Sequence, residues 1–141
     1  MPLLLTSPGL PPGSDISPPL AWSGVPAKAA SLALVVEDPD APGGTFRHWA
    51  AYNIPASAAS LAGGYRAGAP TPFAEARNDF GKTGYSGPCP PPGRPHRYVF
   101  TLLALSQSRL SLPPGAAAEA VITAALPYVV GRADLTLRYQ R

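Results

Sequence analysis

A mostly β fold with one late helix is what the sequence predicts, and three observations predict it. The 141 residues carry 20 prolines and 14 glycines, which long helix interiors do not tolerate and which suit short strands joined by shaped loops. Apolar residues alternate at Tyr98, Phe100 and Leu102 and again at Leu135, Leu137 and Tyr139, the period of a strand with one buried face. Only the Ala-rich stretch Ala116 to Leu126 spaces its apolar residues, Val121, Ile122 and Ala125, as a helix does.

In chain order, residues 1–30 read as irregular, because Pro8, Pro11, Pro12, Pro18, Pro19 and Pro26 interrupt any helix or central strand. Leu20 and Trp22 within that stretch are expected to anchor it on the core. Leu32 to Val36 is a short continuous apolar run, the pattern of a strand buried on both faces. A Pro- and Gly-rich loop, Asp38 to Gly44, closes it. Arg47 to Ile54 is the next strand, ended by Pro55, and strict alternation places His48, Ala50 and Tyr52 on one face with Trp49 and Ala51 on the other. Residues 55–95 show little periodicity, and so long a loop in a small domain argues for a site or an interface. Tyr98 to Leu105 is the clearest strand. Pro113-Pro114-Gly115 precedes the helix, Pro127 and Gly131 mark its end, and a half-buried strand finishes the chain.

Length and composition narrow the function. The chain reads as a single domain, residues 1–141, with 1–14 as a short irregular arm and a hydrophobic fraction of 45%, ample for a core. Its net charge of +3 comes from 11 basic and 8 acidic residues with no basic cluster, so no nucleic acid is expected as a partner. A single cysteine, Cys89, excludes an internal disulfide framework and fits a reducing compartment. The first residues lack a signal peptide's basic flank, and no apolar stretch reaches spanning length. A cytoplasmic protein without a membrane span is the expectation.

The two histidines, His48 and His96, each open a strand after a Pro-rich loop, so strand ends can bring them together. Position 96 shares a strand face with Tyr98. Imidazole and phenol supply hydrogen bonds suited to a phosphate or carboxylate, and Gly-rich turns add backbone N–H groups. Asp38 and Asp40 can orient a histidine or receive an ammonium group; they can equally form turns ahead of their neighbouring prolines. A metal on His48, His96 and an aspartate lacks any supporting Cys/His spacing, so neither metal nor cofactor is expected. Cys89 has no activating motif, and no Gly-x-Ser-x-Gly elbow, P-loop or dinucleotide fingerprint occurs. Anion binding is the chemistry these residues support best, with affinity falling as pH passes about 6.5, where an ordinary imidazole loses its charge.

Four ordered segments resemble one family. They are Asp15-Ile16-Ser17-Pro18-Pro19-Leu20-Ala21-Trp22; Asp38-Pro39-Asp40-Ala41-Pro42; His48-Trp49 leading to Tyr52-Asn53-Ile54-Pro55; and Asn78-Asp79-Phe80-Gly81-Lys82-Thr83-Gly84-Tyr85 running through Gly87-Pro88-Cys89-Pro90-Pro91 to His96-Arg97-Tyr98. With the helix and last strand, the match covers about residues 14–140. The chain resembles the phosphatidylethanolamine-binding proteins, and among them the bacterial Raf-kinase-inhibitor-like branch.

The resemblance implies a large antiparallel sheet packed on a smaller one beside the late helix. It also implies a pocket for phosphate or a phosphorylated headgroup. Its acidic pair would be Asp38 and Asp40, its histidines His48 and His96, and its tyrosine Tyr98. Pro42 and Phe46 would be walls, and Gly87, Pro90 and Pro91 would belong to the loop over the mouth. Arg97 is expected to pair structurally and not to touch ligand. The segment before Asp15 is shorter than in bacterial relatives, which ordinarily enter with a further strand and loop. A cytosolic binding or regulatory protein holding a small anion is therefore the leading expectation, with no catalytic residues. One alternative is a metal-independent acid–base enzyme of a biosynthetic pathway using His48, His96, Asp38 and Asp40. Another is a kinase or protease inhibitor acting through the rim loops. The exposed Pro-rich loops are compatible with a homodimer.

Overall fold

A computed structural model describes residues 2–8, 16–41, 43–87 and 96–139, with His96 and Tyr139 described by their backbone alone. Two antiparallel sheets form the body. The smaller has the order β1-β2-β5, from β1 (Leu4–Thr6), β2 (Leu20–Ser23) and β5 (Ser60–Leu61). The larger has the order β6-β4-β3-β7-β8, from β3 (Ser31–Asp38), β4 (Phe46–Pro55), β6 (Ala74–Glu75), β7 (His96–Leu105) and β8 (Val129–Tyr139). The helix α1 covers Ala118–Ala125 and runs into a 3-10 turn, Leu126–Tyr128.

The alternation of β3 explains the layering. Leu32, Leu34 and Val36 pack with Leu5, Leu20, Trp22 and Leu61, filling the space between the sheets. Ala33 and Val35 pack with Val121 and Ala125, so the helix covers the opposite face. From Leu32 to Val36 the central strand is therefore buried on both faces, as its continuous apolar run predicts. Asp38 ends the same face as Leu34 and Val36, a carboxylate at the mouth of an apolar layer.

The first thirty residues differ from the irregular arm expected. β1 and β2 lie within them, pairing Leu5 with Trp22. Both strands are short enough to fit between the prolines, and Pro18 and Pro19 immediately precede β2, where their missing N–H groups cost no ladder bond. Trp22 anchors the segment as expected, buried with its indole N–H donating to the Ala58 carbonyl at 2.8 Å.

The end of the helix also differs. Pro127 stops it, but Gly131 stands inside β8, opposite Ala104. A Cβ there would lie 2.9 Å from Cγ of Pro26, so this glycine permits a close approach between layers and does not cap a helix.

Candidate functional site

One irregularity in β4 creates the site. β4 pairs Val36 with Trp49 but Glu37 with Arg47, so His48 is the extra residue of a β-bulge. Simple alternation would set His48 beside Ala50 and Tyr52, which pack on the helix side. The bulge instead turns its ring toward Tyr98, in the layer between the sheets, with centroids 5.2 Å apart. The face expected for His48 is thus corrected by a single inserted residue. Asp38 and Tyr98 both lie one residue beyond the Glu37↔Val99 pair of β3 and β7. Three adjacent strands therefore deliver an acid, an imidazole and a phenol to one end of the sheet.

His48 is only 5% exposed. Phe46 flanks it at 5.0 Å and Phe80 at 5.6 Å, and these two rings meet each other at 4.7 Å. Its Nδ1 lies 2.8 Å from the backbone carbonyl of Ser86. A carbonyl only accepts, so Nδ1 carries the proton and Nε2 is left without a partner among the described residues. Burial holds the imidazole pKa below its ordinary value of 6.5, opposed by the Ser86 carbonyl and by the charges of Asp38 and Asp79. Near neutral pH the ring is uncharged, and Nε2 presents a lone pair until a proton arrives.

This depressed pKa has a sign for stability. Below about 6.5 the unfolded chain protonates this imidazole while the folded chain does not, so the folded state loses ground as pH falls through that window. The loss ends once the folded ring titrates as well. Urea unfolding of the parent chain and of His48→Asn, compared between about pH 7 and about pH 5, should show a steeper acid loss in the parent. Equal slopes would contradict the assignment.

The two aspartates have different surroundings. Asp38 is 3% exposed and its Oδ1 accepts the Asp40 N–H at 2.8 Å, an Asx-type turn that closes the strand. Asp40 is held by Arg97. Its carboxylate accepts the Arg97 backbone N–H at 2.9 Å, Nε–H at 3.1 Å and an Nη2–H at 2.9 Å. The pairing expected of Arg97 is thus present, and it fastens the 38–40 turn to the start of β7. Of the two acids, Asp38 is the one whose charge acts on the imidazole.

The long segment 55–95 is organised by its contacts to β4. Trp49, fully buried, gathers Tyr65, Phe73 and Tyr85 around it at 6.3, 6.0 and 5.5 Å and donates its indole N–H to Glu75 Oε2 at 2.7 Å. Asp79 exchanges two bonds with the backbone of Arg47, and the Ser86 N–H donates to the His48 carbonyl at 3.2 Å. Asn78 acts as the internal brace: its Oδ1 accepts from the N–H groups of Phe80 and Lys82, and its amide donates to the Gly84 carbonyl and the Ser86 hydroxyl. The brace holds Phe80, 51% exposed, over the imidazole.

Gly84, like Gly63, is a residue this segment cannot change. Its φ is +119°, and a Cβ would fall 2.8 Å from Ala67 Cα and 3.2 Å from Glu75 Oε2. Gly84→Ala should cost about 2–3 kcal/mol from strain and overpacking, read as a lowered urea midpoint. It should also shift the His48 ring resonances, since Ser86 is two residues away. An unchanged midpoint would contradict this placement.

Of the residues expected to form the pocket, the structure brings together Asp38, Phe46, His48 and Tyr98, with Asp40 beside them on Arg97. Gly87 is buried immediately after Ser86. Pro42, Pro90, Pro91 and the side chain of His96 lie outside the described residues, as does Cys89. Phe80 and Ser86 were not among the expected pocket residues. Asn78 and Asp79 before Gly81 signal a tight turn, and an aromatic residue on such a turn is the clue that points to Phe80. Ser86 contributes its backbone, which leaves no side-chain signature.

Comparisons with known proteins bear on the fold and the family. The family model described as phosphatidylethanolamine-binding protein matches residues 5–140. A protein of Methanothermobacter thermautotrophicus named UPF0098 protein is 45% identical over 131 residues, covering 92% of this chain and 85% of that one. The putative lipoprotein LppC of Mycobacterium tuberculosis is 47% identical over 118 residues, covering 80% of this chain and 56% of that protein. The crystal structure of Escherichia coli YbcL, described as a new member of the mammalian PEBP family, superposes with a TM-score of 0.89 at 31% identity. It covers 100% of this chain and 99% of that one.

Proposed function

The chain belongs to the phosphatidylethanolamine-binding protein family, and from that premise we propose that it is a binding protein that takes the phosphate or carboxylate group of a small ligand against His48, Asp38 and Tyr98. The observation that carries this reading is the fixed imidazole. Ser86 sets its tautomer, the bulge aims it, and Nε2 is left for a ligand. Phe46 and Phe80 supply an apolar flank for the body of the ligand. His96 and the loop with Gly87, Pro90 and Pro91 complete the mouth by resemblance.

Protonation supplies the attraction. The free ring is neutral near pH 7, and an anion at Nε2 favours the charged form, so binding draws one proton onto the ring. The window of pH sensitivity therefore opens below 6.5 in the free protein, lower than an ordinary imidazole would give. Affinity for sulfate, whose own charge is constant here, should fall as pH rises from about 5 to about 7.5. A flat profile measured by calorimetry would contradict proton-linked binding.

Titration with phosphate and with phosphorylethanolamine, followed by NMR of the imidazole rings, tests the reading itself. His48 and His96 should shift together and saturate at millimolar concentrations. Failure of both rings to respond to either anion would end it. We place the protein in the cytoplasm, on its single cysteine. No helix among the described residues is long and apolar enough to cross a membrane. One relative carries the name of a lipoprotein, so fractionation of cells expressing the native gene checks this placement; recovery with membranes would contradict it.

A further inference from the structure

Behind the wall that carries Ser86 lies a second depression. Its volume is about 840 Å³, and its lining includes Arg66, Pro70, Lys82, Thr83, Tyr85 and Ser86. Two chain segments form it, and backbone bonds fix them to each other: the Ala67 N–H donates to the Tyr85 carbonyl at 3.0 Å and the Gly68 N–H to the Thr83 carbonyl at 3.1 Å. The opening is therefore built by paired backbone.

Its chemistry has one sign. Arg66 and Lys82 are exposed on opposite segments, and neither has an ion-pair partner among the described residues. No acidic side chain among the described residues lines the cavity. Two nearby acids have other commitments: Glu75 receives the Trp49 indole and the Thr71 hydroxyl, and Asp79 receives the Arg47 N–H. Two cations lining one concavity focus a positive potential there. A guanidinium offers a bidentate fork to a phosphate, an ammonium adds a point charge, and the Thr83 hydroxyl can donate a further bond. Pro70 and the buried ring of Tyr85 give the same cavity an apolar wall. Its volume lies within the roughly 300–1,000 Å³ of ordinary small-molecule sites.

We propose that this cavity is a second anion site, taking a phosphate monoester whose ester group is small and apolar or aromatic, with Arg66 and Lys82 holding the phosphate. It is separate from the site proposed at His48 and stands whether or not that site binds an anion. Among the described residues, the two share the Ser86 segment.

The test uses the whole chain, labelled with nitrogen-15, and phenyl phosphate as the probe. The amides of Gly68 and Thr83 should shift and saturate at millimolar probe. The double variant Arg66→Ala, Lys82→Ala should weaken that response at least about tenfold and leave the His48 ring response unchanged. His48→Asn should leave the Gly68 and Thr83 shifts intact, which separates the two sites. Inorganic phosphate should bind more weakly than phenyl phosphate. The proposal is overturned if the two amides stay still, if sodium chloride at equal ionic strength moves them alike, if the double variant responds as the parent does, or if inorganic phosphate binds as tightly.

Discussion

Trp49→Ala should lower the unfolding free energy by about 4–5 kcal/mol, the largest stability effect expected of a single substitution here. Truncating a fully buried aromatic costs about 3–5 kcal/mol in transfer and cavity terms. The Glu75 carboxylate, which the Trp49 indole N–H reaches at 2.7 Å, would in addition lose a donor, at about 1–3 kcal/mol when a buried partner is stranded. Repacking of Tyr65, Phe73 and Tyr85 into the space would recover part of the sum. A small domain has only about 5–15 kcal/mol to lose. Urea unfolding followed by the remaining indole, Trp22, would measure it. Trp49→Phe keeps the ring packing and removes the N–H, so it should cost about 1–2 kcal/mol. A loss below about 2 kcal/mol for the alanine variant would mean that the aromatic nest does not hold residues 65–85 in place.

His48→Asn should abolish most anion binding in a chain that still folds. The asparagine amide can occupy the place of Nδ1 and keep donating to the Ser86 carbonyl, while nothing replaces Nε2. Binding should weaken at least about tenfold, equivalent to 1.4 kcal/mol or more. The melting temperature should move by only a few degrees. His48→Ala removes both nitrogens and strands the Ser86 carbonyl, so its stability loss should exceed that of the asparagine variant by about 1 kcal/mol. The contrast between the two variants separates the holding nitrogen from the binding one. Unchanged affinity in His48→Asn would remove the imidazole from the site.

Much of the fold was legible because its strands follow simple periods. The run Leu32 to Val36 announces a strand covered on both sides, and Tyr98, Phe100 and Leu102 announce the face turned to the second sheet. The small sheet was not legible. Leu4–Thr6 and Leu20–Ser23 are too short to establish a period, and the prolines beside them imitate a loop. The direction of His48 was hidden for a different reason. A bulge is one residue of mismatch between two partners, so it belongs to the pairing of β3 with β4 and not to either strand alone. Gly131 illustrates the same limit, since what it must avoid is Pro26, far away in the chain.

Among the site residues, those that act through side-chain chemistry stand out in the sequence: Asp38, His48 and Tyr98 are of types that bind anions or polarise an imidazole. Ser86 acts through its carbonyl, and Asn78 by bracing a loop, so neither advertises a role until the chain is folded. The division of labour between Asp38 and Asp40 likewise depends on Arg97, which binds Asp40 only because the 38–40 turn and the start of β7 meet.

A crystal structure of this protein soaked in phosphate is the most direct measurement of the central claim. The account places the anion within hydrogen-bond distance of His48 Nε2, with the Phe80 ring beside it and the Ser86 carbonyl still holding Nδ1. Density for phosphate only elsewhere on the molecule, or a His48 Nε2 found bonded to another protein group, would contradict it.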